Sequence, residues 1–317
     1  MKVSVIIPIY NGAEDLPDLL AGLRSQTYDR TAVEYLLVDN HSQDHTSVIL
    51  PQAVQEFAAH GMTLRSLQEF EIQSSYAARN AGILAAQGEI LAFTDADCRP
   101  EPDWLANLVA PFADPDVGLV AGEVVALPGN SLLERYADRN ETLSQRHTLN
   151  HPFRPYGQTA NLGVRRDLLV EIGLFRPYLS TGGDADLCWR LLAQTQCRWE
   201  FAPMAVVKHR HRCTLAELRQ QWRRYGRSNR YLHELHGVPL MRSLTPREAL
   251  YRLSRWAAKE LPPALLRGRW LDAVNTPLDL ITFAARSAGQ QQVRLRAEMV
   301  NIPPWPERDA DEQPERL

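Results

Sequence analysis

Cysteine is scarce in this chain. Cys98, Cys188, Cys197 and Cys213 form no Cys-x-x-Cys pair and no zinc-like spacing, so they read as reduced thiols in a cytosolic protein whose core needs no disulfide staples. Long apolar runs are missing as well: no window approaches the roughly 18 to 20 uncharged residues of a spanning helix. The opening run, Val3 to Ile9, is short, broken by Pro8 and followed by no small-residue cleavage site, which makes it a first strand and not a leader. There is no basic excess either. Thirty-five Lys and Arg against 38 Asp and Glu leave a net charge of −3, which excludes a dedicated nucleic-acid binder. The first strand-to-helix turn, Pro8-Ile9-Tyr10-Asn11-Gly12, lacks Gly-x-Gly-x-x-Gly and so counts against a nicotinamide enzyme. The expectation is a cytoplasmic chain that at most touches the inner face of the membrane peripherally.

What is present is alternation. Strand patterns at Val3–Ile9, Glu34–Val38, Leu64–Leu67 and Ile90–Thr94 are separated by helical ones at 14–25, 44–59 and 76–87, which predicts an α/β fold with a mainly parallel, doubly wound sheet. Further strands are expected at 117–126 and before Lys208, with one long helix at 132–148. From about Pro239 the pattern becomes helical and amphipathic, at 246–260, 265–273 and 278–300. The end, from Pro303, is rich in proline and acid and reads as disordered.

The stretch Glu89 to Pro100 is the centre of the argument. An apolar run ends in Asp95-Ala96-Asp97, which delivers two carboxylates to the carboxyl edge of the sheet, where open α/β sheets bind ligands. On an extended strand they share a face and repel, unless a cation sits between them or one takes a proton. Mg²⁺ or Mn²⁺ suits such oxygen ligands. Other candidates have two readings each. Asp39 ends the second strand and is a helix cap or a ribose or base ligand. Arg79 and Asn80 lie near a helix start, as phosphate contacts or as ordinary helix surface. Asp184 and Asp186 follow two glycines in a first helical turn, where the glycines allow close approach to a ligand or Asp184 merely caps the helix. His209 is a metal ligand or part of a solvated basic strand end. The arginine-rich helix 215–235 contacts phosphates, an anionic membrane, or only solvent.

Together the segments VSVIIPIYN, LLVDNHSQD, SSYAARNAGILAAQGEILAFTDADCRPEPDWL, GQTANLGVRRDLLVEIGLF, GGDADLCWRL and VVKHRHR resemble a family 2 glycosyltransferase over about residues 3 to 230. The resemblance implies a GT-A fold at 1–235, with a nucleotide-binding half at 1–98 and an acceptor half at 99–235, then a helical region at 236–302 and a tail at 303–317. It implies inverting transfer from a nucleotide sugar, most simply a UDP-sugar, to a glycan or lipid-linked acceptor in surface polysaccharide or glycolipid synthesis. Carried over by position, Pro8, Tyr10, Asn11, Asp39, Arg79, Asn80 and Asp95 bind the donor nucleotide. Asp97 and His209 hold Mn²⁺ or Mg²⁺, and Asp184 is the catalytic base. Asn161, Asp186 and Trp189 are acceptor contacts, Asp186 doubling as the fallback base. Where the family commonly has glutamate before the base, this chain has Gly183. Alternative readings are a haloacid dehalogenase-like phosphohydrolase, whose nucleophile loop Asp95-Ala96-Asp97 also resembles, a non-catalytic nucleotide-sugar binder, and an enzyme making a lipid-phosphate sugar.

Overall fold

The computed structural model describes residues 1–306. Its first part follows the hydrophobic pattern closely. β1 (Val3–Ile9), β2 (Val33–Asp39), β3 (Thr63–Gln68) and β4 (Ile90–Thr94) alternate with α1 (Leu16–Arg24), α2 (Thr46–Ala59) and α3 (Ser75–Ala85). Each helix carries the chain back across the sheet, so the four strands pair in parallel in the order β3-β2-β1-β4. β1, β2 and β4 are buried almost throughout, which is why they are continuous apolar runs and not alternating ones.

After β4 come β5 (Cys98–Pro100), α4 (Trp104–Val109), β6 (Val117–Ala126), α5 (Leu132–Arg139), α6 (Gln145–Leu149), β7 (Asn161–Arg165), α7 (Arg166–Ile172), α8 (Gly183–Gln194) and β8 (Arg198–His209). They extend the same sheet to β3-β2-β1-β4-β7-β6-β8-β5. β7 is antiparallel to both β4 and β6, β8 is parallel to β6, and the short β5 pairs antiparallel with β8. Helices cover both faces. One core gathers Ile7, Tyr35, Phe57 and Trp104, the other Phe93, Phe175 and Leu187. The single helix expected at 132–148 is two, because Glu141 takes a positive φ and the buried Glu123 carboxylate accepts hydrogen bonds from the Ser144 hydroxyl and the Gln145 N–H. A tertiary contact there overrides local propensity.

α9 (Leu215–His236), α10 (Pro246–Arg255), α11 (Leu261–Leu266), α12 (Trp270–Gln292) and α13 (Ala297–Val300) complete the chain. The helix expected at 265–273 is interrupted at Gly268, whose φ of +64° turns the chain. α12 lies against α9 so closely that a Cβ on Gly226 would strike the Arg286 carbonyl, and one on Gly289 that of Arg223. The expected disordered tail starts too early. Pro303 accepts the Leu174 N–H at 3.0 Å and the Arg166 guanidinium stands 5.2 Å over the Trp305 ring. Residues 307–317 lie outside the described residues.

Candidate active site

The carboxyl ends of β1 and β4, the end of β8, the start of α8 and one stripe of α9 surround a cavity of about 550 Å³. Pro8, Tyr10 and Asn11 form one wall. Asn11 takes φ +51°, and its loop is fastened to the next one. Its N–H donates to Ser42 Oγ at 2.9 Å, and its Oδ1 accepts the Gln43 N–H at 2.7 Å. Asp39 sits just behind this wall, outside the cavity lining, with Oδ1 accepting the Ser42 N–H at 3.0 Å.

Asp95 and Asp97 both line the cavity, but not because a strand points them the same way. β4 ends at Thr94, and Asp95 to Cys98 form a turn in which the Cys98 N–H donates to the Asp95 carbonyl. Their mutual repulsion is relieved by separate partners. Asp95 pairs with Arg79 at 2.5 Å. Asp97 Oδ1 lies 3.3 Å from His209 Nε2, and Oδ2 3.5 Å from Arg212. The register of β5 on β8, with Cys98 opposite His209, brings that imidazole to Asp97. Burial opposes charge on both groups, but their mutual attraction outweighs it, lowering Asp97 below the usual carboxylate range and raising His209 above its ordinary value.

Asp97, His209 and Cys98 form a cluster with ligand atoms within 4.8 Å of one another. Burial pushes the Cys98 thiol well above its ordinary value, and a soft sulfur ligand suits neither Mg²⁺ nor Mn²⁺. The Asp97 carboxylate and the His209 imidazole are the donors there that would hold a divalent ion, the carboxylate being the one that suits Mn²⁺ or Mg²⁺, and His209 Nδ1 is buried without a partner among the described residues.

Across the cavity, Gly182 at φ +83° turns the chain into α8 and places Asp184 in its first turn. Asp184 does not cap the helix. It accepts hydrogen bonds from the Thr159 hydroxyl at 3.1 Å and N–H at 3.4 Å. Burial raises its pKa, Arg79 opposes that, and the Asp95 charge adds to it. Gly183 now has a physical reason: a Cβ there would lie 2.7 Å from the Tyr76 ring, which occupies the space a larger residue would need.

Four expected site residues are turned away from the cavity. Asn80 clips Phe175, donating to its carbonyl at 2.9 Å and accepting its N–H at 3.0 Å. Asn161 joins three elements in the core, accepting from Trp104 Nε1 and donating to the Glu123 and Ala205 carbonyls. Asp186 is fully buried between Arg176, Arg190 and His236 at 3.1, 3.0 and 2.8 Å. Trp189 is buried among Phe153, Tyr156 and His236. A buried, saturated side chain has no valence left for an acceptor.

Sequence reasoning missed Thr159, Tyr76 and, on one stripe of α9 with Arg224, Gln221, Tyr225 and Ser228, all of which line the cavity. The stripe had a readable signal in its i, i+3, i+4, i+7 spacing, one face of a helix. Of the five arginines that make that helix arginine-rich, Arg219, Arg223, Arg224, Arg227 and Arg230, only Arg224 lines the cavity.

A family model described as glycosyl transferase family 2 matches residues 4–179, more than half of the chain. Glycosyltransferase AglE of Haloferax volcanii is 41% identical over 184 residues, 57% of this chain and 58% of that protein. Undecaprenyl-phosphate 4-deoxy-4-formamido-L-arabinose transferase of Salmonella choleraesuis is 30% identical over 158 residues, 49% of this chain and 46% of that one. The chain thus spans about half the length of these relatives. Mannosyltransferase PcManGT of Pyrobaculum calidifontis, solved with GDP-Man and Mn²⁺, superposes with a TM-score of 0.61 at 22% identity over 92% of this chain and 87% of that one, a likeness of fold. The family match stops before Asp184 and His209, so their placement rests on the geometry of the cavity. A parallel βα half carrying the family's own segments, continued by a mixed half that closes a polar cavity, leaves one assignment: the chain belongs to glycosyl transferase family 2 and has the GT-A fold.

Proposed function

We propose that the cavity binds a nucleoside-diphosphate sugar, a UDP-sugar in the simplest case, and that the protein transfers the sugar with inversion to a hydroxyl of a lipid-linked or glycan acceptor. The observation that carries this is that Asp184 lines the same cavity as the Asp97–His209 pair. Pro8, Tyr10 and Asn11 receive the nucleoside, with Asp39 behind them for the base. Asp95, held by Arg79, takes the ribose side. Asp97 and His209 would hold Mn²⁺ or Mg²⁺, which supplies positive charge where the leaving diphosphate gathers negative charge. Arg212, beside Asp97, adds fixed positive charge on the same side, and Arg224 adds more within the cavity. Asp184 accepts the proton of the acceptor hydroxyl as it attacks, and Thr159 keeps its carboxylate oriented.

A lipid-linked acceptor agrees with the undecaprenyl-phosphate transferase among the relatives, and with work at the inner face of a membrane. No helix among the described residues is long and apolar enough to cross one. The phosphohydrolase reading has no support in the geometry, since Asp95, its nucleophile, is engaged by Arg79.

The test is thermal shift with UDP, GDP, dTDP, CDP and ADP, each with and without Mn²⁺. A metal-dependent rise with one nucleotide, lost in a folded Asp97→Ala variant, is the expected result. A flat response to all five would overturn the donor assignment.

A further inference from the structure

The surface between Pro239 and Ala273 differs from the rest of the molecule in charge and in polarity. It holds seven Lys or Arg against three Asp or Glu, an excess of four positive charges in a chain whose net charge is −3. Arg247, Arg252, Lys259 and Arg267 meet no carboxylate among the described residues, although neighbouring arginines do. Large apolar side chains are exposed between these cations. Of the nineteen exposed large hydrophobics among the described residues, six lie between Leu250 and Trp270. Leu266 is 88% exposed and Trp270 62%. They flank the Arg267-Gly268-Arg269 turn, where the positive φ of Gly268 makes a protruding tip.

α10 has the same incomplete character. It has no buried residue at all, and a ten-residue helix is marginal by its own hydrogen bonds. Leu250, Tyr251 and Leu253 leave its apolar side uncovered, beside an apolar groove of about 700 Å³ against α12. The charge pattern selects the occupant. A second copy meeting this face by a two-fold axis would set unpaired cations against unpaired cations. A convex tip carrying leucine and tryptophan, ringed by arginine, instead matches the boundary of a bilayer, where indole and guanidinium groups sit at headgroup depth while apolar tips enter.

We propose that this surface docks the protein on an anionic lipid bilayer, with Leu266 and Trp270 entering the headgroup boundary and the unpaired cations lying over lipid phosphates. The docking is independent of the transferase reading. On that reading, it also brings the cavity to a lipid-linked acceptor.

The experiment is co-sedimentation of the full chain with phosphatidylcholine vesicles, with and without about 30% phosphatidylglycerol, at low salt and at about 0.5 M salt. Binding should require the anionic lipid and weaken with salt. It should fall at least about tenfold in the Leu266→Glu, Trp270→Glu double variant, with the nucleotide-induced thermal shift unchanged. Should that variant fold poorly, Lys259→Glu with Arg267→Glu should give the same loss. Absence of binding by the intact chain, or equal binding by folded variants, overturns the proposal. So does a dimer, seen by light scattering, that these substitutions dissociate. Loss of nucleotide binding with docking intact would sink the transferase reading alone.

Discussion

The chain contains the tripeptide Asp-Ala-Asp three times, and the two copies among the described residues do opposite things. At Asp95-Ala96-Asp97 a tight turn at the end of β4 leaves both carboxylates on the cavity, each with its own cation. At Asp184-Ala185-Asp186 the same letters sit in the first turn of α8, where residues two apart are nearly opposite around the helix. Asp184 therefore faces the cavity, while Asp186 is buried among Arg176, Arg190 and His236. Identical sequence thus gives two site carboxylates in one place and one site carboxylate plus one structural anchor in the other. The backbone beneath a motif decides which of its side chains does chemistry.

The sharpest way to break this comparison is to neutralise the two α8 aspartates separately. Asp184→Asn should lower the transfer rate by about 10³-fold, within the range expected for losing a general base. It should not lower stability. Burial has raised the Asp184 pKa, so the native state binds its proton more tightly than the unfolded chain, and stability falls as pH rises between the two values. The neutral amide escapes that cost, and the melting temperature at neutral pH should equal or exceed that of the parent. A thermal scan beside a nucleotide-release assay checks both, and retained turnover would move the base elsewhere.

Asp186→Ala should do the reverse. Removing the shared anion strands buried cations and should cost about 3–5 kcal/mol in chemical denaturation. Burial opposes charge on Asp186, but His236 and the two arginines lower its pKa. Its contribution is therefore present above the ordinary aspartate range and is lost as pH falls through the lowered value. The deficit of the variant should shrink in acid. An Asp186→Ala protein of normal stability and no activity would return Asp186 to the site.

Thr159→Val gives the smallest effect. It removes the hydroxyl that donates to Asp184 and should reduce transfer about tenfold. Because that hydrogen bond lowers the Asp184 pKa, the acid limb of the pH–rate profile should move to higher pH. A lower rate with an unmoved limb would make Thr159 only a packing residue.

The parallel half was legible because its strands are buried on both faces and its helices have one apolar side, so β1 and β4 fall where the pattern places them. The cavity's first wall was legible for the same reason, since Pro8 stands near the end of β1 and Tyr10 and Asn11 follow it. The misplaced residues share a different cause. Asn80, Asn161, Asp186 and Trp189 are polar or amphipathic groups next to motif residues, and nothing local distinguishes a buried clip from a ligand contact. The break at Glu141 and the interruption at Gly268 depended on partners or turns that hydrophobic periodicity does not encode.

By itself, the amino-acid sequence determined the order of strands and helices, the family segments and the positions where carboxylates leave the sheet, because these follow from period, burial and turn chemistry within a few residues. Only the tertiary structure decided that His209 stands beside Asp97, that Thr159 holds Asp184, that Tyr76 takes the room before it, and that the tip at Leu266 and Trp270 remains uncovered. Each of these depends on elements distant in sequence meeting at a set register, or failing to meet, and pairing across such distances is fixed by the packing of the whole chain.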